Sequence, residues 1–299
     1  MKGMFVGLTT LDVVYGMHGF PTEDLKHTAD MMCLSSGGSA ANAAVACAGA
    51  YPDLADGDDK MAKSTETVLV TRLGTDSLSK ISMDDLVVHG VDVSAAGLNG
   101  LPTVSSIVVN LDNASRTIVS KQGRYEGEQP AGDYSPCILD GVGMVLTDGY
   151  EAELAFDVLH YAKARQIPIV MDIGRYRGEE SDKFFELCDI VIASEVFLDG
   201  DFDAAVEKLA GFDVKAIAMT HGSRDIEFCF AGQRGMVNVE AVKAVDTLGA
   251  GDFLHGGFVK YVLVHGWDSY DKFAAALSFG SKVATKSTCF FGPRGWLDE

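Results

Sequence analysis

Positive charge is scarce in this sequence: 24 Lys and Arg stand against 43 Asp and Glu, a formal charge of −19 over 299 residues. That balance argues against nucleic acid as a partner, because a phosphate backbone is held by clustered Lys and Arg. It argues equally against an anionic membrane surface. A small anionic ligand stays admissible, since backbone amides at a helix N-terminus can hold phosphate without net positive charge. No apolar run is long enough to span a membrane, and Met1-Lys2-Gly3-Met4-Phe5-Val6 is too short for the apolar region of a secretory signal. The expected location is cytoplasmic. The six cysteines (Cys33, Cys47, Cys137, Cys188, Cys229, Cys289) stand at no metal or redox spacing. They read as buried thiols in a reducing compartment, where the sequon Asn113-Ala114-Ser115 has no meaning.

Several catalytic motifs are missing too. No Gly-Lys pair occurs, so there is no Walker A loop and any phosphate must be handled by other means. Neither His-Glu-x-x-His nor Gly-x-Ser-x-Gly is present, which removes the zinc protease and serine hydrolase classes. Gly3-x-x-x-Gly7 is a poor dinucleotide fingerprint. The seven histidines show no ligand spacing, and His255 reads as helix packing.

What is present is a folded globular composition, 47% hydrophobic and 22% charged. No repeat or low-complexity linker divides the chain, which suits one large α/β domain or a domain with a small appendage. Met4–Leu8, Thr67–Arg72, Gly143–Thr147, Ile167–Asp172, Ile190–Ala193 and Lys215–Thr220 read as buried strands. Gly38–Gly49, Asp76–His89, Glu151–Arg165 and Asp203–Gly211 read as helices between them. This alternation is that of βα units in a mostly parallel sheet. Two segments break it: Asp12–Phe20 with Thr28–Ser35, and Thr103–Leu111 with Arg116–Lys121. They read as hairpins or short antiparallel strands, either joined in one small sheet or lying as ordinary edge strands. Pro52–Glu66 reads as an exposed polar loop.

The strongest local signal is Val245-Asp246-Thr247-Leu248-Gly249-Ala250-Gly251-Asp252, followed by Phe253–Val264 at helical spacing. Gly249 and Gly251 let backbone N–H groups approach a ligand where a helix begins, and the first turn carries unsatisfied amides and the positive end of the dipole. The expected guest is a phosphate or a phosphoryl group in transfer. A carboxylate at Asp252 beside such an anion hole suits a general base that deprotonates a hydroxyl. A bare Gly-x-Gly-Asp would equally be a glycine turn with an Asp cap; the longer string is more specific. A second signal is Gly37-Gly38-Ser39-Ala40-Ala41-Asn42-Ala43-Ala44. Its paired glycines open a helix of small residues, and the Asn42 amide offers a donor and an acceptor to a polyhydroxylated ligand. Taken alone, that stretch is also an ordinary Ala-rich helix packed on a sheet.

Together the two strings closely resemble the signatures of the ribokinase-like (PfkB) carbohydrate kinases, and the resemblance runs from Phe5 to near Gly295. Weaker marks, Gly7–Val14, Gly90–Ser94, Arg116–Val119 and Asp246-Thr247-Leu248, are similar to the ketohexokinase and sulfofructose kinase neighbourhood. The resemblance implies a ribokinase-like, Rossmann-like α/β body with a small β lid formed by insertions at about 12–35 and 97–124. It implies transfer of the ATP γ-phosphate to a sugar hydroxyl with Mg2+ as cofactor. Asp252 would be the catalytic base, with Gly249, Ala250 and Gly251 as the anion hole. Asp12, Gly38, Ser39, Asn42 and Arg116 would bind the sugar. Thr220, Gly222, Asp246 and Thr247, with Gly249 and Gly251, would line the nucleotide site. The family's Asn-x-x-Glu, linked to magnesium through water, is replaced here by Ser194-Glu195-Val196-Phe197. Either Glu195 substitutes there for the metal, through water, or the magnesium contact is rearranged. A homodimer joined through the lid sheets is common among relatives.

A ketohexose is the favoured acceptor on this reading. A nucleoside kinase of the same fold would want an apolar lid wall, which Tyr15 and Phe20 could supply. A catalytically silent sugar-binding regulator would not need an intact Asp252 and glycine turn. From Asp246 onward six acids face five bases, so the segment expected to meet phosphate is nearly neutral. ATP would then be held by amides, a dipole and magnesium, with strong magnesium dependence and little role for surface lysines.

Overall fold

The computed structural model describes residues 1–126 and 136–297. The first half of the chain forms β1 (Lys2–Val6), β2 (Thr10–Met17), β3 (Met31–Gly37), α1 (Ser39–Ala48), β4 (Thr67–Gly74), α2 (Ser77–Val88), β5 (Val91–Leu101), β6 (Thr103–Asn110), β7 (Arg116–Lys121) and β8 (Arg124–Glu126). The second half forms β9 (Val142–Thr147), α3 (Ala152–Ala164), β10 (Ile169–Ile173), α4 (Glu179–Phe185), β11 (Ile190–Ser194), α5 (Phe202–Ala210), β12 (Ala216–His221), β13 (Arg224–Phe230), β14 (Gln233–Val237), α6 (Ala250–His265) and α7 (Tyr270–Thr288).

The larger sheet runs β14-β13-β12-β11-β10-β9-β1-β4-β5-β8. Neighbours from β12 through to β5 are parallel, and β13, β14 and β8 add antiparallel at the edges. The inner strands are apolar at nearly every position because both faces are covered. Phe5, Leu69 and Leu146 point to one side, against α1, α2, α6 and α7. Met4, Val70 and Val145 point to the other, against α3, α4 and α5.

The expected strands and helices are found within a residue or two at most ends. Six further elements, β5, β8, β13, β14, α4 and α7, lie where no strand or helix was expected. Pro52–Glu66 is the loop expected, exposed over most of its length. It is a run of turns that buries Ala55 and Met61. The buried ammonium of Lys260, on α6, donates to the carbonyl of Lys63 at 2.6 Å and the hydroxyl of Thr65 at 2.9 Å, which ties the loop down. Among the described residues no disulfide joins the cysteines; Cys47, Cys188 and Cys229 are buried, while Cys137 is exposed.

The two β interruptions assemble into one four-stranded sheet, β3-β2-β6-β7. Pairing of β2 with β6 is parallel, and the outer pairs are antiparallel. β1 feeds this sheet through Gly7–Thr9 and β5 through Pro102. Both links therefore leave the carboxyl ends of strands in the larger sheet. β1 lies between β4 and β9, where the strand order reverses, and an open α/β sheet places its ligand crevice outside such a switch point. No helix among the described residues is long and apolar enough to cross a membrane.

Candidate active site

A cleft of about 950 Å³ opens at that switch point, between the small sheet and the carboxyl ends of β1, β9, β10, β11 and β12. Its floor is the start of α6. Gly249 holds φ +75°, a left-handed conformation that turns the chain from Leu248 into the helix. Gly249, Ala250 and Gly251 line the cleft, so the first-turn amides and the positive dipole end face it.

Asp252 lies half-buried in the first turn of this helix and borders the cleft. Its Oδ2 accepts a 2.9 Å hydrogen bond from Nδ2 of Asn42, on α1. Burial lifts the Asp252 carboxyl to about 6, and the charge of Asp172 adds to the rise. The Asn42 amide, His255 and Ser39 oppose it. The group is thus set close to the range where a carboxylate exchanges a proton with a hydroxyl near neutral pH.

The second glycine string also reaches the cleft. Gly38 takes φ +94°, and a Cβ there would run into the Leu8 carbonyl, so the start of α1 can press against the β1–β2 link. Gly38, Ser39 and Asn42 line the cleft. Asp12 comes from β2, 5% exposed, and takes a 2.6 Å hydrogen bond from the Thr10 hydroxyl. Burial raises its pKa, against the opposing pull of Thr10, Arg294 and Ser105. The small sheet adds Thr10, Thr103, Ser105 and Ser120 to the same wall, all on the Asp12 side of its pleat. Tyr15, three residues from Asp12, has the opposite parity and lies on the outer face; neither it nor Phe20 lines the cleft.

Arg116 lines the cleft and donates to the Thr247 hydroxyl at 2.6 Å. Thr247 itself and Asp246 are not among the cleft-lining residues. Asp246 pins the turn from behind: one oxygen accepts from the Leu248 amide at 2.8 Å, the other from the Gly292 amide at 3.0 Å. Thr220 lines the cleft at the end of β12, whereas Gly222, at φ +65°, sits in the β12–β13 turn outside it. Glu195 also lies outside. Its carboxylate is bonded to Arg224 at 2.6 Å and turned toward the β12–β13 hairpin, and Ser194 borders the cleft in its place.

The sequence reading missed several charged residues here. Asp148, at the end of β9, accepts hydrogen bonds from the amides of Leu8 at 2.9 Å, Ala40 at 3.1 Å and Tyr150 at 2.9 Å. It joins three segments of the site, and burial raises its pKa to about 7. Asp172, in β10, stands 3.5 Å from Nε2 of His255. His255 is therefore more than helix packing: it borders the cleft, and its Nδ1 also donates to the Gly251 carbonyl at 2.7 Å. Both acids close strands that the sequence makes legible, and the carboxyl ends of parallel strands are where such residues are to be sought. Arg72 and Glu151 pair at 2.9 Å at the far end of the cleft.

Donors for a metal are sparse. Among the described residues no group of three or more His, Cys, Asp and Glu is arranged to hold an ion. Such a set fits magnesium that arrives on nucleotide phosphates and keeps its water, rather than an ion in a protein cage.

A glycine turn opening a helix, with a carboxylate in its first turn and a hydroxyl-rich wall opposite, defines a small-molecule site at the switch point of an open α/β sheet. The chain belongs to the pfkB family of carbohydrate kinases, whose model matches residues 2–293, and it is a carbohydrate kinase. No curated protein is similar enough in sequence to match it. Among solved structures, ribokinase from Giardia lamblia is similar at 20% identity, with TM-score 0.80 over 99% of this chain and 95% of that one. Arabidopsis thaliana ribokinase complexed with ribose and ATP gives 20% identity and TM-score 0.75 over 99% and 96%. Fructokinase with bound ATP from Xylella fastidiosa gives 16% identity and TM-score 0.76 over 99% and 94%.

Proposed function

We propose that the protein transfers the γ-phosphate of ATP to a primary hydroxyl of an uncharged monosaccharide, a ketohexose being favoured, with Asp252 as general base. The observation that carries this reading is the Asp252 carboxylate, half-buried, bordering the cleft at the start of α6 and bonded by Asn42 at 2.9 Å. The acceptor hydroxyl loses its proton to Asp252 as its oxygen attacks the γ-phosphorus in line. The bond to the β–γ bridging oxygen breaks, and ADP leaves. The amides of Gly249, Ala250 and Gly251 stabilise charge on the moving phosphoryl group. Asp12, Gly38, Ser39 and Asn42 hold the sugar, and Arg116 closes over it from the small sheet, which acts as the lid. Thr220 meets the nucleotide directly; Asp246 and Thr247 serve it by shaping the turn, and Gly222 by shaping the hairpin.

Magnesium, when bound with ATP, neutralises charge on the β- and γ-phosphates. Ser194 is the residue suited to meet its water shell, with Glu195 behind, engaged by Arg224.

An uncharged acceptor is favoured because two of the three arginines lining the cleft, Arg72 and Arg177, already face carboxylates of the protein. Arg72 meets Glu151 and Glu153, Arg116 meets Thr247, and Arg177 donates to the Gly149 carbonyl and lies over the Tyr150 ring. A nucleoside is disfavoured by the outward-facing Tyr15. The test is ATP consumption across ketohexoses, aldohexoses, pentoses, sugar acids, sugar phosphates and nucleosides. Turnover confined to charged sugars or nucleosides would sink the reading.

The lid has a second use. Its outer face exposes Met32, Leu34 and Val119 at 56%, 46% and 69%, and the strand register sets Leu34 beside Val13 and Met32 beside Tyr15. A second copy of this chain, lid against lid, is the occupant proposed for that face.

A further inference from the structure

Asn42 can help Asp252 only if its amide points the right way. The carboxylate needs the NH2 end; the flipped amide would set a carbonyl oxygen against it. Nothing in α1 fixes that choice, since Asn42 is flanked by alanines. The fixing group comes from the other end of the chain. Arg294 is 12% exposed, and its Nη1 donates to Oδ1 of Asn42 at 3.0 Å. Arginine has donors only, so the oxygen of Asn42 must face it and the nitrogen must face Asp252.

Arg294 is itself anchored. Its Nε and Nη2 reach Oδ2 of Asp85, on α2, at 3.2 and 3.1 Å, and Asp85 is 13% exposed. Nη2 also donates to the carbonyl and hydroxyl oxygens of Ser36 at 3.0 and 2.7 Å. The hydroxyl and amide of Ser36 bond the same Asp85 oxygen at 2.6 and 3.0 Å. The guanidinium is thus held as a rigid fork, a task lysine cannot repeat.

We propose that Arg294 is a positioning residue for phosphoryl transfer: it locks the Asn42 amide so that its N–H addresses Asp252, and so keeps that carboxylate ionised and aimed at the acceptor hydroxyl. The inference rests on the reading of Asp252 as base. The groups facing Asp252 are Asn42 and Ser39 from α1, Asp172 from β10 and His255 from its own helix. Asp85, Asp12 and Cys33 face Arg294. Of these, only Asn42 touches both Asp252 and Arg294.

The test compares wild type, R294K and the double variant D85N/R294M, which removes both buried charges together and so strands neither. In each variant kcat is expected to fall about tenfold or more, the order of one lost charge-assisted hydrogen bond. The acid limb of the kcat–pH profile should move to higher pH, because the carboxylate loses a bond that favours its ionised form. KM for ATP should hold. In an N42A background the same substitutions should add nothing further to kcat or to the limb. An unmoved acid limb, or effects that simply add in that background, overturns the proposal; R294K gives the same readouts if the double variant does not fold. D252N run alongside separates the two claims. Full turnover in D252N removes the base reading, and the relay with it. A dead D252N beside an unmoved limb in the Arg294 variants removes the relay alone.

Discussion

The guanidinium of Arg116, on the outermost strand of the small sheet, donates a 2.6 Å hydrogen bond to the hydroxyl of Thr247, and that hydroxyl donates to the Ala114 carbonyl at 3.3 Å. One side chain therefore ties the proposed lid to the turn at Gly249–Gly251, whose amides are proposed to bind the anion. The apolar contact of Val14, Ile107 and Val109 with Leu248 and Phe291 runs beside it. Thr247→Val keeps the shape and removes both bonds. It is expected to raise the sugar KM several-fold, up to about tenfold, and to let ATP hydrolyse without acceptor. The ratio of ADP to sugar phosphate formed checks this; a ratio fixed at one would show that the tether does not govern closure.

Asp252→Asn is expected to lower kcat by about two to four orders of magnitude, the usual worth of a positioned base. ATP binding, followed by calorimetry, should stay near the wild-type value. A variant with undiminished turnover would remove Asp252 from the chemistry.

Asp172→Asn should act in the opposite sense to loss of Arg294. The Asp172 charge helps push the Asp252 carboxyl up to about 6, so neutralising it lowers that value. A base works when deprotonated, so the acid limb of kcat is expected to shift to lower pH. Movement to higher pH would mean that Asp172 acts on Asp252 by some route other than its charge.

Lys260 offers a stability test. Burial depresses its ammonium to about 8. Between about pH 8 and the ordinary lysine value, the unfolded chain then binds more protons at this site than the folded one, so the site's contribution to stability rises with pH. Relative to Lys260→Met, the wild type should gain in melting temperature from pH 8 to 10. A constant gap would show that Lys260 keeps an ordinary affinity for its proton.

Val119→Glu puts a carboxylate on the outer face of the lid, 69% exposed at that position. If two copies meet there, light scattering should give twice the chain mass for wild type and the chain mass for the variant. Wild type found only at 31.8 kDa would dismiss the lid-to-lid pair.

Much of the fold is legible because the inner strands must be apolar on both sides and the helices between them are periodic. β5 is not legible, since Ala95, Ala96, Gly97 and Asn99 carry little strand preference and only pairing with β4 and β8 extends it. The glycine turn and Asp252 are visible as a contiguous string. Asp148 and Asp172 are visible only once the strands ahead of them are placed. Tyr15 was open to a ligand-facing reading because the direction of the β2 pleat is set by partners far along the chain. Arg294 has no local signal: its bonds to Asp85, Asn42 and Ser36 cross 209, 252 and 258 positions.

Those separations bear on how the molecule is made. At about 5–20 residues per second, Arg294 leaves the ribosome roughly ten to fifty seconds after Asp85 and Ser36. Throughout that interval the nascent chain carries an acid on α2 without its cation, and Asn42 without the group that meets its oxygen. On the proposed reading, the Asn42 side of the cleft is completed only once Arg294 has been synthesised, long after α1 and α2. If Arg294 positions Asn42 as proposed, full phosphoryl transfer is expected only after Arg294 has docked against Asp85 and Ser36.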